Sequence, residues 1–280
     1  MALAQISPHL GNLEKNFDLH FRSITRAKKE KADLLIFPEL SLTGYTLKDL
    51  VEQVALRPEE HPFFSELKSL SRDLSLVVGF VEEKQKGLFY NSAAFLAQGK
   101  ILHIHRKVFP PTYGMFEEMK FFAVGRSFKA FSSPYGKTGM LICYDFLHYG
   151  ASYLLFVGGS EIIIVISAAP GRGVSDKQTY QSSRMWELMG EAISHFSSAF
   201  LIYCNRVGFE DGKQFAGGSF IFNPMGKLIA RGAHLDEDFI IQKIDLDEIG
   251  KARRKRPYVR DERPEIILHS LQRIISHDED

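Results

Sequence analysis

Thr138-Gly139-Met140-Leu141-Ile142-Cys143-Tyr144-Asp145 is an apolar run that ends in a thiol and a carboxylate. A short β-like segment that delivers a thiol to its C-terminal edge puts a nucleophile where α/β proteins keep their chemistry. Two other segments end in the same manner. Leu34-Leu35-Ile36-Phe37-Pro38-Glu39 finishes on a carboxylate, and Ile101 through Lys107 finishes on an ammonium. Taken singly, each residue has a plain reading. Cys143 is a core thiol, Glu39 a helix N-terminal acid, and Lys107 a solvated charge at a strand end. Taken together, a thiol, a carboxylate and a lysine at three strand ends form a constellation for acyl transfer.

Outward from these runs the pattern predicts many short strands and fewer helices. Strands are expected over residues 2–6, Asp33–Phe37, Ser75–Val81, Phe89–Leu96, Ile101–His105, Met140–Cys143, Glu161–Ile166, Phe200–Cys204 and Phe239–Ile244. Polar Glu82–Gly87 reads as a connector. Asn223-Pro224-Met225-Gly226 is a turn signal between Gly218–Phe222 and Leu228–Ala230. Leu13, Phe17, Phe21 and Ile24 recur at helical spacing, which predicts an amphipathic helix to about Glu30. Further helices are expected over Pro62–Arg72, Lys177–Phe196, Asp245–Ala252 and Pro264–Ile275. Strict strand–helix alternation is missing, so a pure doubly wound sheet fits poorly. Two mixed sheets packed face to face, with helices outside, fit better.

The chain has 280 residues, 45% of them hydrophobic, and no Pro/Gly/Ser-rich linker, which suits one large core over 1–280. A formal charge of +1, from 35 basic and 34 acidic residues, argues against a nucleic-acid binder. Two cysteines, Cys143 and Cys204, exclude a disulfide scaffold and suit a reducing cytoplasm. The N-terminus shows no signal-peptide pattern, and the longest apolar run, Ile162 to Ile166, is too short to span a membrane. A cytoplasmic location and no membrane partner are therefore expected.

Phe37-Pro38-Glu39-Leu40, then Lys107 with Phe116-Glu117-Glu118 downstream, then Ile142-Cys143-Tyr144-Asp145, resemble the Glu, Lys and Cys motifs of the nitrilase superfamily of carbon–nitrogen hydrolases. Gly217-Gly218-Ser219-Phe220 through Pro224-Met225-Gly226, and Arg260 to Glu265, resemble later segments of that family. Within it, Ala2-Leu3-Ala4-Gln5, Leu42-Thr43-Gly44-Tyr45 and Tyr113-Gly114-Met115-Phe116-Glu117-Glu118 resemble the glutaminase domain of glutamine-dependent NAD synthetases. No Ser-Gly-Gly loop of their synthetase half is present in the sequence. His148, Tyr149 and Gly150 also stand where the family usually carries an aromatic-Pro-Glu triplet. The resemblance implies a four-layer α-β-β-α sandwich of two mixed sheets, dimerising through helices that flank the nucleophile. It implies a small amide as substrate, with no cofactor and no metal.

The chemistry can be argued from the side chains. Glu39 takes the thiol proton of Cys143, and Lys107 faces the developing oxyanion beside the backbone N–H of Tyr144. Glu118 is expected to be a second acid that orients Lys107 or the substrate amide. Tyr113, Ser167 and Arg172 are candidate substrate contacts, and Tyr144 belongs with them. Cys204 ends a strand without an acid–base pattern nearby and reads as core. His103 and His105 share one strand face but lack further ligands at a metal-binding spacing. The basic stretch Lys251 to Arg256 begins a C-terminal arm over 251–280, expected to pack on a partner subunit. The reading is a cysteine-dependent amidase acting on an ω-amide or glutamine-like substrate. An N-carbamoyl amide hydrolase, a glutaminase subunit feeding a separate synthetase, and a silent assembly subunit stay open.

Overall fold

Residues 1–173 and 180–276 are described by the structure, a computed structural model. The first half of the chain runs β1 (Ala2–Gln5), α1 (Leu13–Lys29), β2 (Leu34–Ile36), α2 (Val51–Val54), α3 (Pro62–Leu70), β3 (Ser75–Gln85), β4 (Leu88–Ala97), β5 (Lys100–Arg106). Then come β6 (Phe131–Ser133), β7 (Gly136–Ile142), α4 (Tyr149–Val157), β8 (Ile162–Ser167), α5 (Gln181–Ser197), β9 (Phe200–Asn205), β10 (Val207–Glu210) and β11 (Lys213–Ala216). The chain closes with β12 (Phe220–Phe222), β13 (Leu228–Arg231), β14 (Asp238–Ile241), α6 (Asp247–Lys255), α7 (Tyr258–Asp261) and α8 (Pro264–Ser276).

Two six-stranded mixed sheets result, ordered β14-β1-β2-β3-β4-β5 and β13-β12-β9-β8-β7-β6. Period-2 alternation explains their two faces. Leu76, Val78 and Phe80 of β3 point to the cluster that holds Phe17, Ile24 and Ala27 of α1 with Phe64 and Leu67 of α3. Val77, Ala93 and Phe95 point the other way, toward Met140, Ile142, Ile164 and Ile202 of the second sheet. That sheet is covered in turn by Ala151 and Leu155 of α4 and Trp186 of α5. The order is helix, sheet, sheet, helix, the four-layer sandwich expected. β8 is buried along its whole length, as a central strand covered on both faces should be.

Several local expectations differ from the structure. In α1 the buried position belongs to His20, while Phe21 is 46% exposed. His20 hydrogen-bonds Asn16 O and Ser41 Oγ, so its polar atoms are satisfied inside the core. Residues 82–85 continue β3 instead of forming a connector. Glu82 accepts from Ser92 and Arg106, and Glu83 from Arg57. α5 begins at Gln181; positions 177–179 of the expected helix lie outside the described residues. Helix α4 and the β10–β11 ribbon were not expected. Strand β12 starts later than expected, at Phe220, and β14 starts at Asp238 and ends sooner than expected, at Ile241.

The basic stretch at the end of α6 is tied to its own chain. Arg253 donates to Ser160 O, and Arg256 contacts His195 and Met225. In α8 no described residue is buried.

Candidate active site

Glu39 lies past the end of β2, in a turn that folds back onto β3. Gly79 permits this approach, because a Cβ there would lie 2.4 Å from Leu40 N and 2.6 Å from Pro38 O. Lys107 directly follows β5 and keeps the sheet register through its N–H to Asn91 O. Cys143 directly follows β7 and opens a helical turn over Cys143–Leu147, with φ at 45°. A positive φ at a non-glycine residue is strained backbone, and here it falls on the thiol-bearing residue.

Glu39, Lys107 and Glu118 form one buried cluster. The Lys107 ammonium donates to Glu39 Oε1 and to Glu118 Oε1, each at 2.7 Å. Glu39 Oε1 also accepts from Asn91 Nδ2 at 2.7 Å, and its other oxygen from the Ala168 N–H at 2.7 Å. Glu118 accepts from the Tyr45 hydroxyl at 2.6 Å and from Asn91 Nδ2 at 3.3 Å. Such charges survive burial only when paired and hydrogen-bonded, as these are. Cys143 is 6% exposed, and its thiol sits beside Ser167, whose hydroxyl accepts from Tyr203.

The electrostatics assign proton positions. Burial, then the Glu39 carboxylate, hold the Cys143 thiol well above its ordinary range, against the opposing pull of Lys107. Burial alone would lower Lys107, but Glu118 and then Glu39 outweigh it and keep the ammonium charged. Burial raises Glu118 above the usual carboxylate range, with Lys107 opposing and Glu39 adding to the rise. The resting thiol is therefore protonated. A base must remove its proton as it attacks, and a fixed cation is at hand for the negative charge that then develops.

The other expected residues separate into two groups. Ser167 is fully buried and sits against the thiol. Tyr113, Tyr144 and Arg172 stand together at a partly exposed rim. The Arg172 guanidinium lies 4.7 Å from the Phe116 ring centroid and 5.2 Å from that of Tyr113, and Tyr113 lies 5.3 Å from Tyr144. A small cleft of about 50 Å³ opens beside the cluster, with Tyr45, Phe116, Glu118 and Phe122 in its wall. His148 stacks on Phe109 at 3.6 Å and meets Tyr144 edge-on, so it builds a wall of this region. Tyr149 points out to solvent.

Tyr45, Asn91 and Asp145 were not singled out in advance. Asn91 is a polar residue inside the apolar run of β4, which is the signal that could have found it. Cys204 is buried, with its Sγ directed at Ile36 O and Ala4 O in the core. His105 bonds Asp145 at 2.9 Å, and His103 stacks on Phe131. Among the described residues no group of three or more His, Cys, Asp and Glu is placed to hold a metal ion. No described helix is long and apolar enough to cross a membrane.

Comparison with known proteins gives the family and the fold. The Carbon-nitrogen hydrolase family profile matches residues 1–254. The glutamine-dependent NAD(+) synthetase of Acinetobacter baylyi is 33% identical over 248 residues, covering 89% of this chain and 44% of that enzyme. The chain thus spans less than half the length of that relative. An (R)-stereoselective amidase from a Pseudomonas species is 29% identical over 93% of this chain and 90% of its own length. The crystal structure of a carbon-nitrogen hydrolase from Helicobacter pylori superimposes with a TM-score of 0.86 at 25% identity, over 96% of this chain and 97% of that one.

Proposed function

This chain belongs to the carbon–nitrogen hydrolase family, whose members cleave C–N bonds other than peptide bonds, and we propose that it is a cysteine-dependent amidase for a small ω-amide or glutamine-like substrate. One observation carries the reading: a single ammonium, Lys107, held between two carboxylates, Glu39 and Glu118, beside a protonated thiol. In the proposed reaction Cys143 Sγ attacks the amide carbonyl carbon while Glu39 takes the thiol proton. The oxyanion faces Lys107 and the Tyr144 N–H. Glu39 then returns the proton to the departing nitrogen, ammonia leaves, and a thioester remains on Cys143. Water attacks the thioester, again losing a proton to Glu39, and the acid and the free thiol are regenerated. Glu118 and Asn91 hold Lys107 and Glu39 in place.

Substrate choice is read from the rim. Arg172, braced over Tyr113 and Phe116, suits a substrate carboxylate and so favours amides of amino acids or dicarboxylic acids. A second reading, a glutaminase that supplies ammonia to a separate synthetase, is favoured by the likeness to the first half of the NAD(+) synthetase. The exposed apolar residues Leu154 of α4 and Leu188 and Phe196 of α5 support a homodimer through these helices. Residues 251–280 are proposed as an arm beside that interface, on one 280-residue domain.

Ammonia release over a panel of amides, carbamoyl amino acids and nitriles tests the function. Trapping should add the acyl mass of the best substrate to the peptide that carries Cys143. Release from none of the panel, with Cys143 and Cys204 labelled equally slowly by iodoacetamide, would instead identify a silent assembly subunit.

A further inference from the structure

Lys107 and Cys143 arrive on different sheets. Lys107 extends from β5, at the edge of the first sheet, and Cys143 from β7, in the second. Nothing in strand pairing fixes how far apart they stand, since among the described residues no strand of one sheet pairs with a strand of the other. Asp145 bridges this seam. It is fully buried, and each of its oxygens accepts two hydrogen bonds. Oδ1 takes the backbone N–H groups of Val108 and Phe109, at 3.0 and 2.9 Å. Oδ2 takes the Ile142 N–H at 3.2 Å and His105 Nε2 at 2.9 Å.

The four donors have a pattern. His105, Val108 and Phe109 lie on either side of Lys107 in the chain, and Ile142 immediately precedes Cys143. One carboxylate therefore grips both flanks of the lysine and, from its own place two residues after the cysteine, the residue just before it. We propose that Asp145 is a positioning residue that sets the separation of the Lys107 ammonium from the Cys143 thiol by tying β5 and its following loop to the nucleophile turn. His105 is its partner, and its imidazole holds Oδ2 toward β5. The inference rests on the amidase reading and adds to it the group that assembles the oxyanion site.

The geometry dictates the informative variant. In Asp145→Asn only one side-chain oxygen can still accept, while the NH2 group confronts backbone N–H donors. Either the loop after Lys107 or the strand before Cys143 is released. A displacement on the order of 1 Å at a catalytic group costs roughly a hundredfold in rate. The expected result is a kcat about a hundredfold lower, with KM nearly unchanged, because ground-state binding at the rim is untouched. In a Lys107→Met background the same substitution should cost little more, since groups that act as a unit are not additive. His105→Gln retains a donor toward Asp145 and should keep most of the activity, whereas His105→Leu should lose about tenfold in kcat.

A folded Asp145→Asn with wild-type kcat overturns the proposal, as does a loss fully additive with Lys107→Met. Should Asp145→Asn fail to give the native near-UV circular dichroism, the two His105 variants decide: equal kcat for Leu and Gln overturns it. A wild-type protein that hydrolyses no amide is a different result, and it refutes the amidase reading.

Discussion

The Tyr45 hydroxyl donates to Glu118 Oε1 at 2.6 Å, deep inside the cluster. The same oxygen accepts from Lys107, so Tyr45 fixes the acid that holds the ammonium. Its backbone is fixed from behind: Glu210 accepts from the N–H groups of Tyr45 and Thr46 and is itself paired with buried Arg206. Tyr45→Phe removes one donor and nothing else. Glu118 keeps its bonds from Lys107 and Asn91 but loses the one that orients it from the Tyr45 side, so kcat should fall roughly tenfold, the scale of one lost hydrogen bond to a charged group, while the fold is retained. Unchanged kcat in steady-state assays would show that Glu118 is held without it.

Cys143→Ala should abolish turnover and leave the melting temperature near that of the wild type, since the side chain loses only a small group. Cys204→Ala should behave in the opposite way. It leaves a small void among Ala4, Ile36 and Ser219 but should leave kcat unaltered. Paired activity and thermal-melt measurements on the two variants check both halves; appreciable turnover by Cys143→Ala contradicts the proposed nucleophile.

Arg172→Ala should raise KM for amides that carry a carboxylate and leave uncharged aliphatic amides nearly unaffected, the signature of lost ground-state binding. The truncation also uncovers the Tyr113 and Phe116 faces. If the two substrate classes respond alike, the guanidinium is a structural brace for those rings and the carboxylate preference has another source.

Acid stability should report His20. Burial lowers its pKa from 6.5 to about 4 in the folded state. The unfolded chain therefore binds a proton that the folded chain refuses in this window, and stability falls as pH drops from about 6.5 toward 4. At about 1.4 kcal/mol for each pH unit, the loss from this residue amounts to roughly 3 kcal/mol. His20→Gln can still bond Ser41 but cannot take the proton. Its melting temperature should start lower at neutral pH and decline less steeply between pH 6.5 and 4 than that of the wild type; parallel profiles would assign the acid sensitivity elsewhere.

What the sequence made legible was chemistry at strand ends, because Glu39, Lys107 and Cys143 each close an apolar run that physical patterning can locate. The paired sheets followed from many short runs without strict alternation. Partners across the seam were illegible. Asp145 stood in the quoted nucleophile run, but nothing local says that its donors come from His105, Val108 and Phe109 on the other sheet. Glu82 and Glu83 looked like connector residues because charge is scarce in strands; Arg106 and Arg57 neutralise them. Phe21 had the right spacing for the core, yet the buried face went to His20, whose hydrogen bonds are visible only once Ser41 is in place. The β10–β11 ribbon did carry a signal. Asp211-Gly212, both with positive φ, is a hairpin pair of the kind that matches strand twist.

Because Glu39 and Lys107 come from one sheet and Cys143 and Ser167 from the other, neither layer alone holds more than ordinary side chains. A chain with one sheet formed carries an unremarkable thiol on one side and solvated carboxylates on the other. Hydrolytic capacity is thus created at closure of the seam. During refolding, the return of activity would time the docking of two finished layers, while circular dichroism would already have recorded their formation.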